Sequence, residues 1–442
     1  ATNSEGSVSS FQALNMAIAS CVGSGNIVGV ATAVLAGGLG AIFWMWVSAV
    51  LGMSTAFAEG TLAQIYKERK GDEYVGGFTF YTQKLWRNKV WVGTAMCVLY
   101  LIYNLMSIPV HTFHVFTSMS TIMDTALNRT TDVTEPVYYV VAVVIIVVIA
   151  IIAFGGIKKA VGFADAAVPT MALIYIAVAV LLMVANITKL PAFFVTIFTQ
   201  AFKPQSIFGG TFGIALAQGL KRGLLSNEAG MGSATQAAAV SDQDHPCEQG
   251  IMQSIGVFID TVVICTLTGF IVAGGAIWEN PNIDWSSIKY NKMATFVASI
   301  RELTPGTALD SIVVIVVILA FGLFAFTTLC CDITYSEIAA HKVSDKKGVI
   351  KAVRVAGAFV FVPLGTLTVL SGLQLDNLWA VSDLVNIVLV FVNVPTLFIG
   401  RKIIIAAYKD YKAHKGERFV SARIGVKSDV WTEKEAKARA QE

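Results

Sequence analysis

Long apolar runs separated by short polar stretches pattern this chain from end to end. Ten of them stand near 8–36, 41–66, 90–124, 136–155, 164–187, 206–241, 249–277, 308–340, 349–371 and 376–405. Each holds the roughly 20 residues that a helix needs to cross about 30 Å of hydrocarbon. The runs are continuous rather than alternating, which predicts helices and argues against a β-barrel. GGLG at 37–40 reads as a tight turn between the first two, and LPAFFVTIFTQAF at 190–202 is too short to span and is expected at the membrane surface. A transmembrane core over 1–405 is therefore expected, followed by a polar, solvated tail over 406–442.

Two runs are interrupted. The first carries Gly23-Ser24-Gly25-Asn26 at its centre, and the sixth carries Ser226-Asn227-Glu228. NIVGVATAVLA at 26–36 aligns without gaps on AGMGSATQAAA at 229–239, matching at Gly29/Gly232, Ala31/Ala234, Thr32/Thr235 and Ala36/Ala239. Ten crossings then divide into two five-helix repeats, about 8–187 and 206–405. An odd number of crossings per unit makes the second repeat inverted relative to the first. Interrupted helices at matching places in two halves point to a transporter's binding site.

Composition agrees with the pattern: 55% of residues are hydrophobic and only 14% charged, against about 25% charged in soluble domains. The chain is an all-α polytopic membrane protein. Its small net charge of +3 offers nothing to a nucleic acid, and the lipid bilayer is the expected partner. Six cysteines without a CxxC pair and five scattered histidines show no metal or disulfide framework. If the runs alternate in direction, most of the 32 Lys and Arg fall on one side. Only Arg129, Lys189, Lys203, Lys289, Lys292 and Arg301 fall opposite, with Lys221 and Arg222 inside the sixth run. The positive-inside rule then places both termini in the cytoplasm of a cell-membrane protein.

The interruptions carry the candidate chemistry. Backbone groups freed in hydrocarbon persist only where something else binds them. Carbonyls ahead of the GSGN break suit a small hard cation, and the N–H groups after it suit a carboxylate. Asn26 adds a neutral carboxamide, although glycines here also allow close helix packing. Thr327 and Thr328 are adjacent hydroxyls in the eighth run, and Asp260 is a lone carboxylate in the seventh. An intramembrane acid is a functional candidate by default: Asp260 could ligate a cation, carry a proton, or pair with Lys221 or Arg222. Those two cations could instead pair with Glu228, or hold a substrate carboxylate. Asp383, Asn386 and Asn393 in the last run read as packing hydrogen bonds.

The stretches FQAL…GSGNIVGVATA, GGLGAIFWMWVSAVLGMSTAFAE, KRGLLSNEAGMGSA, HPCEQG and GVFIDT resemble the alanine or glycine:cation symporters, a family of sodium-coupled amino-acid transporters. The resemblance implies a five-plus-five inverted repeat similar to the bacterial leucine transporter, with the first and sixth helices broken. It also implies an additional N-terminal helix ahead of this core, which is not present in this chain. It places sodium (Na+) between the backbone oxygens of Ala19 and Val22 and the hydroxyls of Thr327 and Thr328. The small amino-acid substrate would lie against Ser24, Gly25, Asn26, Thr328 and an opened backbone at Gly219–Leu220. No organic cofactor is implied, and the oligomeric state stays open. The chain departs from the family at Asp332, where members tend to have tryptophan, and at SIPVHTF (107–113), which brings Pro109 and His111 toward the substrate. These two residues admit a more polar substrate, or proton coupling through Asp260 or Asp332. A membrane-embedded enzyme and a channel are disfavoured, because no nucleophile stands with a base and no repeated selectivity loop occurs.

Overall fold

The computed structural model describes residues 8–71, 73–128, 135–202, 211–274, 292–304, 309–371 and 376–439. The first run is split, as its glycines predict, into α1 (Ser10–Cys21) and α2 (Val28–Gly37), joined by a single tight turn at Ser24–Asn26. The sixth is split into α9 (Thr211–Asn227) and α10 (Ala234–Val240). Among the described residues, eight helices are long and apolar enough to cross a membrane. They are α3 (Gly40–Ile65), α5 (Val90–Leu127), α6 (Pro136–Phe154), α7 (Gly156–Ala185), α11 (Pro246–Gly274), α13 (Leu309–Ala340), α14 (Lys347–Leu370) and α15 (Asp376–Ala413). α11 and α14 each contain one wide turn of π-helix, at Phe258–Ile264 and Gly357–Phe361.

Short elements fill the connections. A hairpin of β1 (Glu68–Lys70) and β2 (Glu73–Val75) leads into α4 (Phe78–Leu85), and neither is marked by the apolar pattern. The surface helix α8 (Leu190–Ala201) lies against the start of α3, where the Gln200 side chain accepts from the Leu39 amide at 2.8 Å. A further short helix, α12 (Lys292–Leu303), precedes α13. α13 packs along α5 and α7, while α9 and α11 pack along α3. The broken pair α1–α2 touches α7, α9, α11 and α13, so the chain's most irregular backbone sits where the bundle is deepest.

One expectation is corrected. The stretch from 406 is not a free solvated tail. α15 runs on to Ala413, and the segment beyond folds back so that Phe419, Val430 and Trp431 are buried with Ile65, Cys247 and Ala407. Trp431 donates its indole N–H to the Gln64 carbonyl at 2.7 Å, and the Phe419 amide donates to the Asp244 carbonyl at 2.8 Å. Lys67 is buried over the rings of Tyr74 and Trp431 and donates to the Ser241 carbonyl at 2.6 Å. Aromatic residues spaced among charges carried this docking, and a reading for apolar runs passes over them. Trp431→Ala should lose about 3 kcal/mol or more of local packing. Limited proteolysis should then cut the segment after Ala413 at least tenfold faster, with the membrane helices still intact.

His245, just ahead of α11, stands under this segment. Its Nδ1 accepts from the Cys247 amide at 3.1 Å, and its Nε2 lies 3.4 Å from the Asp410 carboxylate. Burial pulls the imidazole down to about 4, against the opposing charge of Asp410. The unfolded chain takes up this proton near pH 6.5, the docked form only near 4. The docked arrangement therefore loses stability as pH falls from about 6.5 toward 4. Proteolysis of the tail should quicken between pH 7.5 and 5.5. His245→Asn, which keeps the cap on Cys247, should flatten that response.

Candidate substrate and ion site

At the first break the helical ladder ends for an identifiable reason. The Gly23 amide, which would continue α1 by bonding Ala19, turns instead to the Cys21 carbonyl at 2.8 Å and the Asn26 side-chain oxygen at 3.0 Å. Val22 leaves helical geometry with ψ 82°. The Ala19 carbonyl is thereby released, and the Thr328 hydroxyl of α13 meets it at 2.9 Å. Thr328 and Thr327 also both lie 2.9 Å from the Phe324 carbonyl. One hydroxyl proton cannot serve two carbonyls at once, so lone pairs remain in this cluster of neutral oxygens. Only glycine fits at 23, since a Cβ there would lie 2.9 Å from the Thr328 oxygen. The side chain of Ser24 lies outside the described residues, and Gly25 keeps part of its surface accessible within the bundle.

Asn26 is fully buried and its carboxamide is wholly committed. Besides accepting from Gly23, it donates to Asp260 at 2.6 Å and to Ser226 at 3.0 Å. Ser226 in turn donates to the other Asp260 oxygen at 2.7 Å, as does Thr261. Asp260 therefore ties the first break, at Asn26, to the second, at Ser226. Its hydrogen bonds come from neutral donors rather than from Lys221 or Arg222. Arg222 instead lays its aliphatic stem against Gly29.

The second break spans Glu228–Ser233, where Glu228, Gly230 and Gly232 all take positive φ (52°, 92° and 87°). Gly232 has no alternative, because a Cβ would meet the Phe78 Cβ and Cγ atoms at 2.7 and 2.8 Å. The freed amides of Gly230 and Gly232 donate to the Glu59 carboxylate at 3.1 and 3.0 Å, and Asn393 clamps the same carboxylate. The amide supply at this break is thus taken by the protein itself. Glu59 was legible in AFAEG as an intramembrane acid, yet no role attached to it. Glu228 accepts from Ser20 at 3.1 Å, linking α1 to this break.

The placement of Gly219 and Leu220 is corrected. α9 is continuous through both, so no backbone opens there. Gly219 is a contact point with α3, where a Cβ would lie 2.4 Å from the Ala41 carbonyl. Helix packing explains this glycine, and the break lies nine residues later, at Glu228. His111 and Asp332 do come together. The imidazole Nε2 is 3.8 Å from the Asp332 carboxylate, and the ring edge lies against Gly23.

The whole arrangement, broken helices crossing inside a bundle with freed backbone at mid-depth, is that of an ion-coupled membrane carrier. The model of the Sodium:alanine symporter family matches residues 1–422, and the chain belongs to that family. A relative described as "Probable sodium/glutamine symporter GlnT", from Bacillus subtilis, is 34% identical over 94% of this chain and 81% of its own. The "Sodium/proton-dependent alanine carrier protein" of Bacillus sp. PS3 is 30% identical over 99% of this chain and 98% of its own. Among solved structures, a manganese transporter of Eremococcus coleocola matches with TM-score 0.55 at 12% identity, over 90% of this chain and 80% of that one. The nucleobase-cation-symport-1 transporter Mhp1 matches at 0.52 and 12%, over 96% and 82%. These likenesses establish the leucine-transporter-like fold. The chain is an amino-acid carrier, not an enzyme. Asp260→Ala should leave Asn26 and Ser226 without their shared acceptor, at about 1–3 kcal/mol for each buried group. Transport in vesicles should fall over 100-fold and the thermal midpoint by several degrees, with Asp260→Asn intermediate in both.

Proposed function

We propose that this carrier is a sodium-coupled symporter that brings a small neutral amino acid, of the class to which alanine and glycine belong, into the cell by alternating access. The observation that carries this is the Ala19 carbonyl, freed by the first break and met by Thr328 beside Thr327. Neutral, buried oxygens of this kind suit a monovalent hard cation. Na+ would take the Ala19 and Val22 carbonyls with the Thr327 and Thr328 hydroxyls, and the Phe324 carbonyl stands within reach of the same group. The substrate backbone would lie beside Gly23–Asn26, with its carboxylate at the amides opening α2, since those at the second break already serve Glu59. The two broken stretches would be equivalent members of two inverted five-helix repeats. Their Lys/Arg-rich end would be cytoplasmic, together with both termini. The names of the relatives, which speak of sodium, protons, alanine and glutamine, support the coupling and the substrate class.

Proton coupling is a second reading, favoured by one observation: an oxygen of the buried Asp332 carboxylate has no hydrogen-bond partner. Asp260, held by three donors, is the weaker proton carrier. Proteoliposomes separate the two readings. Alanine uptake should follow an imposed Na+ gradient and fail without one, and Thr327→Ala/Thr328→Ala should weaken the Na+ dependence at least tenfold. Uptake driven equally by a pH gradient in the absence of Na+ would instead favour the proton.

A further inference from the structure

Helix α13 turns one continuous face toward α1. Thr328 meets the Ala19 carbonyl, and Cys331 and Tyr335 point to the Met16 carbonyl at 3.6 and 3.2 Å. Asp332 lies one turn beyond Thr328 on this face, and it is 96% buried, with 4% of its surface exposed. Opposite it stands His111 of α5, packed against Gly23 at the break. The Oδ2 atom of Asp332 and the Nδ1 atom of His111 are both buried without a hydrogen-bond partner. The ring nitrogen nearest Asp332 is the other one, Nε2, which stands 3.8 Å from Oδ2, too long for a bond. His111 nevertheless keeps 13% of its side chain accessible while residues 107–110 and 112 are buried. The space it meets is therefore inside the bundle.

Unpaired buried polar atoms cost about 1–3 kcal/mol each. Two of them, on neighbouring side chains beside the break, ask for a ligand that satisfies both. We propose that Asp332 and His111 recognise the side chain of the transported amino acid and select one that both donates and accepts, a carboxamide or a hydroxyl. The proposal rests on the reading that the substrate backbone lies at Gly23–Asn26. The carboxylate accepts from the side chain's N–H or O–H, and the imidazole donates to its oxygen. An acidic side chain would add a third carboxyl group beside the buried Asp332 and Glu228, where its charge would lose water and gain no cation. A cationic side chain could use the carboxylate but not the imidazole's donor. A methyl group would leave both polar atoms unsatisfied. Sites that hydrogen-bond a substrate group discriminate strongly against analogues lacking it, because the site is then left unpaired.

The test is thermal stabilisation of the purified protein in Na+ by alanine, serine, asparagine, glutamine, lysine and aspartate. The wild type is compared with Asp332→Leu and with the volume-preserving Asp332→Asn, which covers the case in which the leucine variant does not fold. Asparagine, glutamine or serine should stabilise the wild type at a concentration at least tenfold below alanine, and the amides against serine separate the two chemistries. In the variants that ratio should shrink below about threefold. A wild type that prefers alanine or lysine overturns the proposal, as does a preference that Asp332→Leu and Asp332→Asn leave unmoved. Failure of every amino acid, alanine included, to stabilise the wild type would instead overturn the placement of substrate at the first break.

Discussion

One buried carboxylate organises the centre of this molecule. Asp260 receives Asn26 from the first helix break and Ser226 from the second, at 2.6 and 2.7 Å. Each break alone is expensive, since hydrocarbon supplies no substitute for a lost backbone bond. Joined through Asp260, the two breaks hold one another. The wide π turn at Phe258–Ile264 contains Asp260 itself. Such turns recur at functional sites, and here one accompanies a side chain shared by three helices.

The second break is stabilised differently. Glu59 takes the amides of Gly230 and Gly232, and Asn393, which itself accepts from Tyr81 at 2.5 Å, steadies the carboxylate. A helix start closed by the protein's own anion cannot hold a substrate carboxylate without displacing it. The two breaks, alike in sequence, therefore differ in chemistry: one is furnished from within, and the other leaves Ala19 and its hydroxyl neighbours with lone pairs to spare. That asymmetry favours the first break as the seat of ion and substrate.

How much of this was legible depended on the scale of the signal. Apolar runs of membrane length are set by solvent, so the spanning helices and both interruptions could be read directly. Asp260 and Thr328 could be flagged because a polar side chain in hydrocarbon needs a reason. Their partners could not, since the contact between Asn26 and Asp260 joins positions 234 apart. Gly219 misled because a glycine that opens a backbone and a glycine that lets two helices touch look the same in one dimension. Only the Ala41 carbonyl, 2.4 Å from where a Cβ would stand, tells them apart. The docked tail was missed because charge density reads as solvation, whereas Lys67 and Arg418 lie over the Trp431 ring.

The Lys/Arg-rich end shows what any opening there would have to break. Gln64 and Lys67 at the end of α3 both donate to Ser241, just past α10. Val8, just ahead of α1, accepts from the neighbouring Asp242 amide at 2.8 Å, and Ser10 donates to Gln243 at 2.6 Å. Both half-helices on this side thus converge on the link at 241–243, and Trp431 closes over it through Gln64 and Lys67. In the proposed cycle, α1 and α10 could not swing outward independently, because they share these bonds. A ligand that altered the bonding of Ala19 or Asn26 would act on both half-helices together. Ion and substrate would then be coupled because each favours the same one of two discrete arrangements.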